Sequence, residues 1–284
     1  MENFTLVLDE SGAKGYASTT ERSVGEIGVM AGFCYAEDYI NIINRNFTRY
    51  ISSYIGSLNG KFHITDLPSD KQNEFRELVF DIARELNLQW FFSAVYAQGF
   101  HESEFSDNRG RGDKKNSLHT TLFRNLLNKS LSLVYSLDKK QIQLNVVTDT
   151  VSSGVLKQFE ATSLDVRRMF LGENHEFFVK RWDPESKKVS KTTICSSISS
   201  EGLPRYDELE IKIACEESVL TIIADVLANS VLYYLNENRA DNLKNDLNSK
   251  TAVAGHPLSD LLLAPKTVEE YFPVLDVIYR REST

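Results

Sequence analysis

Near the start of the chain, Phe4-Thr5-Leu6-Val7-Leu8 forms an unbroken apolar or β-branched run that ends in an acidic turn, Asp9-Glu10-Ser11-Gly12. A run without polar alternation is what a strand buried on both faces looks like. Such a strand needs helices on both sides, and its carboxylates fall where the chain leaves the core, the edge at which ligands gather in open α/β sheets. Three more segments set an acid against an apolar element: His63-Ile64-Thr65-Asp66, Val146-Val147-Thr148-Asp149 and Ile222-Ile223-Ala224-Asp225. Acids drawn together at low dielectric cannot all stay charged and unpaired, so they either disperse over the surface or share a cation. A shared cation is the expectation.

The rest of the chain alternates strand and helix patterns. Residues 25 to 34 read as a second strand, and 37 to 55 as a helix with Tyr39, Ile42, Ile43, Phe47, Tyr50, Ile51 and Tyr54 on one stripe. A strand-like piece, Lys61-Phe62-His63-Ile64, precedes Pro68-Ser69, which with Gln72 reads as a capping-box start for a helix to about residue 86. Its core face is Phe75, Leu78, Val79, Ile82 and Leu86. Residues 88 to 97 read as a central strand, 117 to 137 as a helix, 141 to 148 as a strand, and 152 to 171 as a helix that Gly172 closes. Residues 177 to 182 and 189 to 198 read as a hairpin or a pair of strands joined by Asp183-Pro184-Glu185-Ser186, followed by a strand at 209 to 215 and a long apolar helix from 216 to 235. The tail, with Tyr271-Phe272-Pro273-Val274-Leu275, reads as packing back as a short helix and strand. With no repeat or linker, this order predicts a single α/β domain over 1–284: a mixed sheet flanked by helices, with an inserted hairpin and a C-terminal extension at 237–284 packed on it.

A formal charge of −8 argues against a general nucleic-acid coat, which needs a basic surface to release counterions. It leaves room for a local basic groove. The densest positive group is Arg109-Gly110-Arg111-Gly112-Asp113-Lys114-Lys115, inside a stretch that is nearly devoid of apolar residues. Arg109, Arg111, Lys114 and Lys115 are therefore the candidate nucleic-acid contacts, against the alternatives of a solvated or partner-docking loop. Cys34, Cys195 and Cys215 form no Cys-x-x-Cys pair and lie in apolar or strand-like runs, as buried thiols in a reducing compartment do. The N-terminus carries Glu2 and Asp9 instead of a basic leader, and no run of about 18 apolar residues occurs. A cytoplasmic protein without a membrane partner is expected.

The last long helix carries Ser218, Thr221, Asp225 and Asn229 at spacings of three and four, one narrow polar stripe on an otherwise apolar cylinder. That stripe is either a solvent face or the wall of a cleft shared with Asp9 and Asp149. Asp149 either caps the next helix or belongs to the cleft, since Ser152 can also cap.

Taken in order, Leu8-Asp9-Glu10-Ser11-Gly12, Phe62-His63-Ile64-Thr65-Asp66-Leu67, Val147-Thr148-Asp149 and Ala224-Asp225-Val226-Leu227-Ala228 resemble the landmarks of the domain-of-unknown-function 3800 family, which is placed in the ribonuclease H-like superfamily. Ile222 stands where that family commonly has a glutamine, and Lys61 where it often has an acid. The resemblance implies a ribonuclease H-like fold and hydrolysis of phosphodiesters with Mg²⁺ or Mn²⁺. It implies Asp9, Asp149 and Asp225 as metal ligands, Asp66 as the fourth acid, and His63 as a residue that orients water or protonates the leaving group. Glu10 is the weaker substitute for Asp66, because neighbouring strand residues point to opposite faces. The expected function is a divalent-metal-dependent nuclease or phosphodiester hydrolase acting on DNA, RNA, a hybrid or a nucleotide. The alternative is a non-catalytic ribonuclease H-like module that binds a partner protein or nucleic acid.

Overall fold

The computed structural model describes residues 1–13, 25–55, 62–96, 117–173, 175–183, 188–196, 204–237 and 249–263, with the backbone alone for 53, 55, 117, 175–183, 188–196 and 249. The basic group at Arg109, Arg111, Lys114 and Lys115 and the tail at 271–275 lie outside the described residues.

The chain forms an α/β fold around a five-stranded mixed sheet in the order β3-β2-β1-β4-β7. The central strand β1 (Glu2–Gly12) pairs antiparallel with β2 (Ile27–Ala36), which pairs antiparallel with β3 (Phe91–Tyr96). On its other side β1 runs parallel to β4 (Gln141–Thr148), and β4 runs parallel to β7 (Glu208–Cys215). Strands β5 (His175–Asp183) and β6 (Lys188–Ser196) form a separate antiparallel pair, in agreement with the expected hairpin.

Alternation along β1 divides the core in two. Val7 joins the cluster under helices α1 (Glu37–Ile55), α2 (Ser69–Glu85) and α5 (Val219–Glu237), where Phe33, Phe47, Phe75, Ile223 and Val231 are buried. Phe4, Leu6 and Leu8 face the other cluster, under α3 (Ser117–Ser136) and α4 (Ser153–Leu171), with Phe123, Leu127, Phe159 and Phe170. Each fully buried Phe or Leu contributes about 1.5–3 kcal/mol relative to exposure, so these clusters fix which residue parity of β1 faces which helices. Helix α1 buries a narrower stripe than its periodicity predicts: Ile40, Ile43, Phe47 and Ile51 are in the core, while Ile42 and Tyr50 are exposed.

Helix α5 is long and apolar enough to cross a membrane by length and composition. Here that apolarity is spent inside the domain, because α5 packs on β1 and β2 from one side and on α1 and α2 from the other. The C-terminal piece 249–263, including the short α6 (Ser249–Ala252), covers the β3 edge: Trp90 N donates to Leu261 O, Trp90 Nε1 to Leu258 O, and Leu263 N to Trp90 O. Edge strand β7 leaves Cys215 exposed, which corrects the expectation of a buried thiol there. Cys34 is buried in the core, and burial pushes its thiol up to about 12.

Gly32 marks the closest backbone approach, since a Cβ there would stand 2.0 Å from the Val7 carbonyl oxygen. Gly32→Ala should lower stability by about 1–3 kcal/mol through overpacking in the sheet centre. Gly154→Ala, at a helical position with nothing within 4 Å of the added carbon, should be neutral or stabilising. Guanidinium denaturation midpoints check both; equal midpoints for the two variants would remove the steric account of Gly32.

Candidate active site

The acidic stretch after Leu8 is a continuation of β1 and not a turn. Antiparallel pairing with β2 runs on through Asp9↔Ala31 to Gly12↔Gly28, whereas the parallel ladder with β4 ends at Leu8↔Thr148. Asp9 and Glu10 thus project beyond the end of β4, at the rim of the sheet. Gly12 terminates the overhang with φ +79°, a backbone conformation that glycine adopts without a Cβ penalty.

Parity carries Asp9 to the α5 side. It is 5% exposed, and its carboxyl is raised well above the ordinary carboxylate value, first by burial and then by repulsion from Glu10 and Asp225. A hydrogen bond between the Asp9 and Glu10 carboxyls acts in the same direction, while the Glu10 N–H donating to Asp9 Oδ1 at 2.9 Å acts against it.

Asp225 sits in the middle of α5, 8% exposed, on the polar stripe noted in the sequence. The stripe is no solvent face, because Thr221 and Asp225 are both buried. Asp225 Oδ2 accepts the Ile64 N–H at 2.9 Å. Burial raises its carboxyl; that hydrogen bond and the nearby His63 lower it, and Asp149 and Glu10 raise it again. Asp149 follows the last residue of β4, is 8% exposed, and accepts the Thr150 N–H through Oδ1 at 2.6 Å. It does not cap α4, since Ser152 Oγ accepts the Val155 N–H in that role.

His63 lies between the last two acids. Its Nε2 is 3.9 Å from Asp149 Oδ2 and its Nδ1 is 3.9 Å from Asp225 Oδ2, with 37% of the side chain exposed. Among the described residues around it the expected strand does not form. Instead Ile64–Asp66 is a 3-10 turn, because the Ile64 N–H is taken by Asp225 and not by a neighbouring strand. Asp66 is exposed, and its carboxylate accepts the His63 N–H at 3.2 Å, capping the turn it belongs to. The Asp66 N–H in turn donates to the His63 backbone carbonyl at 3.0 Å, closing the turn. At α2 the expected box is replaced by Gln72 Nε2 donating to Leu67 O, with Pro68 outside the helix and making no side-chain cap.

Asp9, Asp149, Asp225 and His63 therefore converge from β1, β4, α5 and the 3-10 turn, and Asp66 stands outside the group. Among the described residues no three His, Cys, Asp or Glu side chains are already disposed as a ligand set around one point. The chemistry of the donor set nevertheless suits a hard divalent cation: buried carboxyl oxygens whose charged form is disfavoured by burial and by neighbouring acids. Compared with protein-family models, with curated proteins and with solved structures, the chain finds no significant match.

Two nearby residues carried no sequence signal. Arg76 on α2 donates from Nη2 to Asn229 Oδ1 at 2.7 Å, joining α2 to the polar stripe of α5. His119 on α3 looks like one more position of an apolar helix until Glu10 is placed beside it.

Proposed function

We propose that this chain is a divalent-metal-dependent phosphodiester hydrolase of ribonuclease H-like type, acting on nucleic acid with Mg²⁺ or Mn²⁺. The observation that carries the reading is the convergence of Asp9, Asp149 and Asp225, acids from distant parts of the chain, at the rim of a mixed sheet, where Asp225 raises the Asp9 carboxyl and Asp149 raises that of Asp225. Asp9, Asp149 and Asp225 are the residues that would hold the cation. When bound, it supplies Lewis-acid stabilisation of phosphoryl oxygen and a water that ionises near neutral pH. Asp225 also fixes the His63 turn through the Ile64 N–H, so the imidazole is oriented by the same side chain that lends charge to the site. His63 reaches solvent between two carboxylates, where it can take a proton from water or give one to a departing oxygen.

Calorimetric titration of the full chain with Mn²⁺, paired with hydrolysis assays on single- and double-stranded DNA and RNA, tests the reading. Binding that disappears in Asp9→Asn and metal-dependent cleavage support it; no Mn²⁺ binding by the wild type overturns it.

An acidic hydrolase of a polyanion needs local positive charge, which assigns the grip to Arg109, Arg111, Lys114 and Lys115. Replacing all four by Ala should lower the log-log salt slope of binding by about 0.7–0.9 per lost phosphate contact. Mn²⁺ binding should be unaffected. Filter binding across salt concentrations decides, and an unchanged slope on every substrate removes these residues from the interface.

A further inference from the structure

On the α3 side of the sheet, behind the strand end, lies a polar pair that the chemistry above does not use. His119 is 2% exposed in the first turn of α3 and stands edge-on to Phe159, with ring centroids 4.9 Å apart. Among the described residues neither of its ring nitrogens has a hydrogen-bond partner, and its Nε2 lies 3.5 Å from Glu10 Oε2. A buried polar group left unbonded is destabilising, and an apolar residue would fill a site against Phe159 without that penalty. The imidazole is therefore aimed at Glu10.

Glu10 itself has the opposite parity to Asp9, yet its charge is felt at both Asp9 and Asp225. Its side chain is 11% exposed. The overhang of β1 explains how both statements hold: beyond the last β4 pair at Leu8, no strand among the described residues separates the two faces on that side. A carboxylate starting on the α3 side can meet one starting on the α5 side around the open rim. Thr148, the last residue of β4, adds a fully buried hydroxyl with no hydrogen-bond partner among the described residues.

We infer that Glu10 is a further ligand of the cation site, and that His119 is the positioning residue that holds the Glu10 carboxylate there from behind. The inference rests on the metal-site reading above and assigns to Glu10 the place that Asp66, exposed and committed to its own turn, does not fill. Ligating carboxylates are ordinarily hydrogen-bonded from their outer side, and a modest rotation of Glu10 closes that bond from His119 Nε2.

Mn²⁺ titration calorimetry on the full-length chain provides the test, with thermal melting of each metal-free variant as the control for folding. Glu10→Gln and His119→Phe should each weaken Mn²⁺ affinity about 10–100-fold. His119→Gln, which keeps a donor near the Nε2 position, should restore most of it, and Asp66→Asn should leave it unchanged. A merely structural histidine would not be rescued in affinity by Gln, so equal losses in His119→Phe and His119→Gln overturn the positioning role. If His119→Phe fails to fold, Glu10→Gln and His119→Gln still decide. Wild-type affinity in Glu10→Gln, alongside lost binding in Asp9→Asn, overturns Glu10 as a ligand and leaves the metal-site reading standing. Absence of Mn²⁺ binding by the wild type overturns both.

Discussion

Asp9→Asn should abolish Mn²⁺ binding and reduce hydrolysis by at least about 100-fold, the scale on which loss of a single preorganised charge-stabilising group acts, while the metal-free variant melts above the wild type at neutral pH. The amide keeps the shape of the carboxylate and still offers Oδ1 to the Glu10 N–H, so folding has no steric reason to fail. What it removes is repulsion with Glu10 and Asp225 and the burial penalty of a charge. The sign of the pH effect follows from linkage. Because the folded carboxyl lies above its unfolded value of 3.8, the folded state binds the extra proton. Asp9's favourable contribution is fully present below that unfolded value and is lost as pH rises through the folded one. The metal-free wild type should therefore lose stability relative to Asp9→Asn as pH climbs toward neutrality, and saturating Mg²⁺ should reverse the order. Melting curves of both proteins across pH, with and without Mg²⁺, check this. A metal-induced shift of the same size in the variant would remove Asp9 from the ligand set.

The second large effect separates charge from architecture at Asp225. Asp225→Asn retains an oxygen that can accept the Ile64 N–H, so the 3-10 turn should persist while activity falls by at least about 100-fold. Asp225→Ala leaves the fully buried Ile64 with an unpaired N–H, which costs about 1–3 kcal/mol beyond the same loss of activity. His63 should then lose its fixed place beside Asp149. Denaturant midpoints and the chemical shifts of the His63 ring report the two consequences separately. Identical midpoints for the Asn and Ala variants would show that the Ile64 hydrogen bond does not hold the turn.

What could be read from the sequence follows the range of the forces involved. Strand β4 and helix α4 are local: alternation or amphipathic period sets the body, Ser152 starts the helix, and Gly172 closes it in the left-handed conformation at φ +67°. Their limits were accordingly legible within a residue or two. The sheet's α/β class was legible for the same reason. The turn at His63 was not, since the carboxylate that shapes it comes 161 residues later. No window around Phe62-His63-Ile64 contains that information, and β-branched and aromatic content there imitates a strand. The extent of β1 is not legible locally either: Asp, Ser and Gly are usual turn formers, yet a backbone already paired with β2 continues through them. His119 was invisible for a related reason: its meaning depends on Glu10, which is far from it in sequence and adjacent only across two layers.

The unequal lengths of the two ladders on either side of β1 have a mechanical corollary. Asp9 and Glu10 are successive residues on one strand, separated by a single peptide plane and a rise of about 3.3 Å, yet one addresses α5 and the other α3. Helices that never need to touch are thereby geared to a common rigid link. A small axial slide of β1 displaces both carboxylates by the same vector, so the two layers cannot adjust the site independently. A shift of one residue in register does something different in kind, because it exchanges the layers that the two acids serve.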